Sequence, residues 1–274
     1  MRNAIKLSEL AKRKREEVEE DSDVDLSTTN SELDDDNASS NEEIINIDFD
    51  FFNGNPEVDF HALKNLMRQL FGQQESNKIQ LSSLADLILK SPTTTIKTDG
   101  EASDPYCFLS ILNYKENKSS NYARYLANVD TKLDTFFKSV ESSNKSCGLI
   151  VGERLINMPN QVVPPLYKIT LEDVKKVSGK GMAYDFYVIV SRKYEVSYDD
   201  DDDDDDDDTN PRKRVKNSEV DYFHEEDRFL EKHSKIHFQG PVRKGVLPSY
   251  IVIDHDSLMR SIQELEEAIA QWSK

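Results

Sequence analysis

Ile44-Ile-Asn-Ile-Asp-Phe-Asp-Phe-Phe-Asn-Gly-Asn-Pro-Glu-Val-Asp-Phe-His-Ala-Leu-Lys-Asn-Leu-Met-Arg-Gln-Leu-Phe-Gly72 changes its hydrophobic period halfway along. Ile45, Ile47, Phe49 and Phe51 alternate with Asn46, Asp48 and Asp50, the period of a strand with one face buried. Asn53, Gly54, Asn55 and Pro56 turn the chain. Leu63, Leu66, Met67, Leu70 and Phe71 then recur at helical spacing, with Asp59 as the expected cap and Gly72 as the expected stop. A strand feeding a helix through a tight turn points to a fold that mixes both element types.

Working outward, the same two periods alternate. Strands are expected over 94–97, 106–114, 148–155, 184–198 and 247–253. Helices are expected around Leu81 to Ile88, over 122–140, over 161–177 through Pro164 and Pro165, and over 257–272. Residues 220–238 read as strands without clear limits. The mixture predicts an α+β fold, a layered mixed sheet with helices on both faces.

Charge separates this core from its appendages. Residues 1–43 hold fourteen Asp/Glu against six Lys/Arg and carry no aromatic residue, so disorder is expected there. Ten consecutive aspartates stand farther along the chain: Asp199, Asp200, Asp201, Asp202, Asp203, Asp204, Asp205, Asp206, Asp207 and Asp208. No core holds ten adjacent carboxylates, so residues 197–218 are expected as a solvated insertion within a single domain spanning 44–274. The chain's formal charge is −18, and residues 1–43 (net −8) with the ten aspartates (−10) match it. The remainder is near neutral, which argues against direct nucleic-acid binding, since that needs a basic surface. Two short basic clusters stand out: Arg212, Lys213, Arg214 and Lys216, and Lys12, Arg13, Lys14 and Arg15. Each has the composition of a nuclear-import tag, read by an import receptor. A polar, charged N-terminus predicts no secretory signal, and no apolar run approaches the about 20 residues of a membrane span. Cys107 and Cys147 make no disulfide framework.

Catalytic patterns fail on inspection. Lys176, Gly179 and Gly181 approach an acyl-CoA pyrophosphate loop, but that loop follows a strand and opens a helix, the reverse of the order expected here. His224-Glu-Glu-Asp-Arg228 places Arg228 where a second zinc-binding histidine belongs, and His233 and His237 alone do not make a metal site. There is no Gly-x-Ser-x-Gly elbow. No catalytic group, metal or cofactor is expected.

Three stretches stand out: Ile47-Asp-Phe-Asp-Phe-Phe-Asn53 with Pro56 and Asp59-Phe-His-Ala-Leu-Lys-Asn65; Gly152-Glu-Arg-Leu-Ile-Asn157 with Pro159, Gln161 and Pro164-Pro165-Leu-Tyr167; and Tyr222-Phe-His-Glu-Glu-Asp227. Together they resemble the BCCIP family of eukaryotic nuclear proteins. The second is the most specific, and the resemblance covers about residues 44–274. It implies a domain like that of the GNAT acetyltransferases with the acyl-CoA loop lost. It also implies a nuclear, non-enzymatic role: escort of a newly made basic ribosomal protein of the large subunit, and support for nuclear export of a phosphatidylinositol phosphate kinase. An acyltransferase and a histone chaperone are the alternatives. In the escort reading the aspartate tract attracts the basic client over a Debye length of about 8 Å, and a folded surface supplies specificity. The expected surface comprises Asn157, Pro159, Gln161, Pro164, Pro165 and Tyr167 with Asn53, Pro56 and Asp59.

Overall fold

The computed structural model describes residues 48–177, 183–197 and 218–272. In chain order these form β1 (Asp50–Asn53), α1 (Phe60–Ile79), α2 (Leu81–Leu89), β2 (Thr93–Lys97), β3 (Cys107–Asn113), α3 (Tyr114–Asn117), α4 (Asn121–Val129), α5 (Thr131–Ser142) and β4 (Cys147–Arg154). A 3₁₀ turn at Asn160–Val162 leads into α6 (Val163–Val177), followed by β5 (Phe186–Ser197), β6 (Ser218–Tyr222), α7 (Glu225–Lys232), β7 (Ile236–Gln239), β8 (Val246–Asp254) and α8 (His255–Trp272).

Among the described residues, eight strands make one sheet in the order β1-β2-β3-β4-β5-β8-β7, with β6 alongside β5. Every one of these pairings is antiparallel except β4 with β5. The strict period of the strands sends alternate side chains to opposite faces. Phe108 and Leu112, Leu149 and Val151, and Val188 and Val190 meet α1, α2, α4 and α5 on one side. Leu109 and Ile111, Ile150, and Tyr187 and Ile189 meet α6 and α8 on the other. A central sheet covered on both faces needs continuously apolar strands, and β3 and β4 supply them. Gly152 is required where β3 crosses close to β4: a Cβ there would come within 3.0 Å of the Phe108 carbonyl oxygen.

Several expectations are corrected. Among the described residues β1 begins at Asp50, and Ile45, Asn46 and Ile47 of the expected strand lie outside them. Gly72 does not stop α1; it adopts φ 71°, ψ 165°, and the helix kinks and continues to Ile79. Such a φ is open to glycine and costly for other residues. The helix expected over 122–140 is two helices, because Asp130 is extended and its side chain caps α5 through the Lys132 N–H. Residues 220–238 contain a helix, α7, between two short strands. Residues 178–182, with Gly179 and Gly181, lie outside the described residues.

The parallel pair explains α7. β4 and β5 pair only from Cys147↔Phe186 to Ile150↔Ile189, and then diverge. The segment Tyr222 to Asp227 enters the gap with charged side chains that are paired as they are buried. Arg154 donates twice to Glu226, at 3.2 and 2.9 Å. Glu153 accepts from Arg192 Nε at 3.0 Å and contacts His224 Nε2. Burial alone would discharge Glu226, but Arg154 outweighs it and holds the carboxyl low. Asp227, beside Glu226, is instead pushed well up by burial and by that neighbouring charge.

Farther along α7, Glu231 accepts from Lys193 at 2.6 Å, Tyr222 at 2.7 Å and Ser249 at 2.8 Å. Burial raises its pKa, yet hydrogen bonds from His237, Lys193, Tyr222 and Ser249 outweigh burial and bring it from 4.5 to about 2. A depressed carboxylate stabilises the fold above its unfolded pKa and loses that contribution as pH falls through the folded value. Stability is therefore expected to fall between about pH 4.5 and 2. Urea unfolding across this range checks it: Glu231→Gln should flatten part of the slope, and an unchanged slope would contradict the assignment.

Candidate partner-binding site

β4 ends at Arg154, and the chain turns sharply after it. Leu155 donates its N–H to the Tyr106 carbonyl at 3.0 Å, and Met158 donates to the Leu155 carbonyl at 3.0 Å. Arg154, only 5% exposed at its side chain, clamps the turn from inside: Nη1 donates to the Met158 carbonyl and Nη2 to Asn160 Oδ1, each at 2.8 Å. One guanidinium thus holds both the turn and α7. The turn tip carries Ile156, which is 62% exposed, and exposed Asn157.

Beside the turn opens a cleft of about 500 Å³. Phe49, Tyr106, Leu155 and Met158 give it an apolar lining, and Asp48, Thr98, Asp99 and Asn157 complete it. The rim is one-sided in charge. Of the lining residues Asp48 and Asp99 are acidic and none is basic, and Asp50, Glu101 and Asp104 are exposed at neighbouring positions in the sequence. No Lys or Arg occurs from 98 to 113, and no charged residue of either sign occurs from 155 to 167. The nearby cation Lys97 is spent internally: fully buried, it pairs with Asp59 at 2.7 Å and donates to the Glu101 carbonyl at 2.6 Å. An apolar cleft with an acidic rim and a protruding isoleucine fits a basic protein surface that offers an apolar anchor. β1 stands at one end of the strand order, paired among the described residues with β2.

The expected surface residues divide. Asn157 and Gln161 are exposed, Pro159 and Pro165 half-buried. Asn53 and Pro56 are exposed but sit at the far end of β1 from the cleft, opposite Thr94 rather than Lys97. Asp59, Pro164 and Tyr167 are buried and belong to no exposed surface. Asp59 does not cap α1 with its side chain; it accepts the Asn55 N–H at 2.8 Å and neutralises Lys97. Tyr167 and Pro164 pack inward because the first turn of α6 presents them to the sheet. The aspartates at 199–208 and the basic clusters at 12–15 and 212–216 lie outside the described residues. Motif reading missed the acid spacing at Asp99, Glu101 and Asp104 and the isolated Ile156. A local charge count over 98–113 would have found the first.

The BCCIP family model matches residues 44–230, the stretch that runs from β1 into α7. The chain belongs to the BCCIP family. It is similar to Protein BCP1 of Eremothecium gossypii, 67% identical over 272 residues, covering 99% of this chain and all of that one. Protein BCP1 of Saccharomyces cerevisiae is 62% identical over 237 residues, covering 84% of each chain. The crystal structure of BCP1 from Saccharomyces cerevisiae superposes with a TM-score of 0.72 at 60% identity, over 85% of this chain and 93% of that one. The Arg154 clamp, the turn it holds and the paired charges of the β4–β5 gap all fall within the matched BCCIP region. Among the described residues no helix is long and apolar enough to cross a membrane, and no cluster of His, Cys, Asp and Glu is arranged to hold a metal.

Proposed function

We propose that this BCCIP-family chain is a non-enzymatic nuclear escort for a basic ribosomal protein of the large subunit. The observation that carries the reading is the acid-rimmed apolar cleft beside Ile156, which has the charge and chemistry to shield a lysine- and arginine-rich surface. The aspartates at 199–208 add a long-range attraction and imitate the phosphates for which such a surface is made. The clusters at 12–15 and 212–216 are assigned to an import receptor, and export of a phosphatidylinositol phosphate kinase is a further role of the same adaptor.

The parallel pairing of β4 with β5, and their later divergence, supports a GNAT-like origin. Acyl-CoA chemistry is disfavoured because the gap between those strands is taken up by Phe223 to Asp227 and their partners Glu153, Arg154 and Arg192. Deleting residues 199–208 is expected to slow association with a purified basic ribosomal protein by on the order of ten-fold and to flatten its salt dependence. The dissociation rate should change little. Stopped-flow association at several ionic strengths checks this, and identical rates with and without the tract would refute its assigned role.

A further inference from the structure

The kink at Gly72 helps form a second cleft, chemically opposite to the first. It encloses about 290 Å³ between α1 and the start of β8, over an apolar floor of Leu70, Phe71, Val246 and Pro248. Its charged lining is Arg192, Arg243 and Lys244 against Glu75 alone. Glu75 pairs with Arg243, and Glu153 behind the cleft pairs with Arg192, which leaves Lys244 as the lining cation without an ion pair among the described residues.

Two of these cations are held as if for a ligand. Arg192 has a side chain only 9% exposed, its Nε donates to Glu153 at 3.0 Å, and its guanidinium lies 4.2 Å over the Phe223 ring. Its two terminal nitrogens carry no hydrogen bond to the described residues and are not among the buried atoms without a partner, so they open onto the cleft. Lys244 sits at the tip of a two-residue hairpin turn closed by Arg243 and Val246, which exchange backbone hydrogen bonds of 2.8 and 3.0 Å. Lys244 and Gly245 both have positive φ, 50° and 75°. That turn type favours Asn-Gly, and a lysine in its first position is strained. Lys244 is exposed and makes no ion pair among the described residues. An unpaired lysine in a constrained turn, beside an arginine whose Nε is fixed and whose terminal nitrogens face the cleft, presents two cationic groups to an anionic ligand.

We propose that this cleft binds an acidic peptide segment of a second partner protein. A carboxylate reaches the terminal nitrogens of Arg192, a neighbouring carboxylate pairs with Lys244, and an apolar side chain between them lies on Leu70 and Val246. The amides of Gln73 and Gln74 are placed for the peptide backbone. A basic client cannot occupy this cleft, so the chain would hold two partners of opposite charge on separate surfaces.

The test uses the full-length chain and a fluorescein-labelled EDFEDL hexapeptide, with its uncharged counterpart QNFQNL as control, read by anisotropy. The acidic peptide should bind in the micromolar range and the control at least about ten-fold more weakly. Lys244→Asn, which suits the turn better, should hold or raise the melting temperature while weakening the peptide by on the order of ten-fold. Arg192→Gln should weaken it further; if that variant unfolds, Lys244→Asn alone decides. No binding at millimolar peptide, equal binding by Lys244→Asn, or displacement of the peptide by an equal concentration of inorganic phosphate would each overturn the proposal.

Discussion

Asp59→Ala is expected to destabilise the fold by about 3–5 kcal/mol, the usual result of stripping one partner from a buried ion pair. Asp59 and Lys97 are both fully buried, 2.7 Å apart, and joined across β2 and the start of α1. The change leaves the Lys97 ammonium without a counter-charge in a dry site beneath the Phe52 ring. It also frees the Asn55 N–H and loosens the turn from which β1 leads into α1. The double variant Asp59→Leu with Lys97→Met should recover most of the loss, since replacing both partners of a buried pair by apolar groups is often near neutral. Urea unfolding of the wild type, the single and the double variant decides. A loss below about 1 kcal/mol for Asp59→Ala, the level of an exposed pair, would contradict the buried assignment. Residue 59 thus affects partner binding only by way of the fold, through the placement of β1.

The second large effect concerns the cleft itself. Ile156→Lys combined with Asp99→Lys should weaken the basic client by roughly thirty-fold, about 2 kcal/mol, the scale of an interface hot spot. Both residues are exposed, so the melting temperature should stay within the small range typical of surface changes. Loss of affinity with stability retained separates a binding role from a structural one. Arg154→Met is the informative contrast. It should cost stability, because it abandons the Glu226 carboxylate in the core, and it should weaken the client too, because the turn bearing Ile156 loses its clamp. If the Ile156 and Asp99 pair changes nothing, the cleft is not the client surface.

Much of the architecture could be read from period alone. β3, β4 and β8 are mostly apolar, and Leu258, Ile262, Leu265 and Ile269 of α8 face the core as their spacing requires. The helix Glu225–Lys232 escaped because two of its three buried residues, Glu226 and Asp227, are charged; a polar string says nothing of a buried face when Arg154, the partner of Glu226, lies 72 residues away. Asp130 splits the helix expected over 122–140 through a side-chain cap that competes with helix continuation, a choice made by local geometry rather than by period. The same limit applies to the site. Asn157 and Gln161 were found as surface residues from the motif around them, whereas Asp59 and Tyr167 lie in the same motifs and are buried. A motif marks positions a family keeps in its pattern and does not separate those facing a partner from those holding the turn that faces it.

The central claim is that one basic client is held on a folded, acid-rimmed surface. Affinity capture from nuclear extract on the full-length chain at moderate salt, followed by mass spectrometry, tests it most directly. The account predicts one dominant large-subunit ribosomal protein, retained after RNA digestion and lost from the Ile156→Lys, Asp99→Lys variant. Histones in its place, or many basic proteins that all wash off with modest salt, would contradict it.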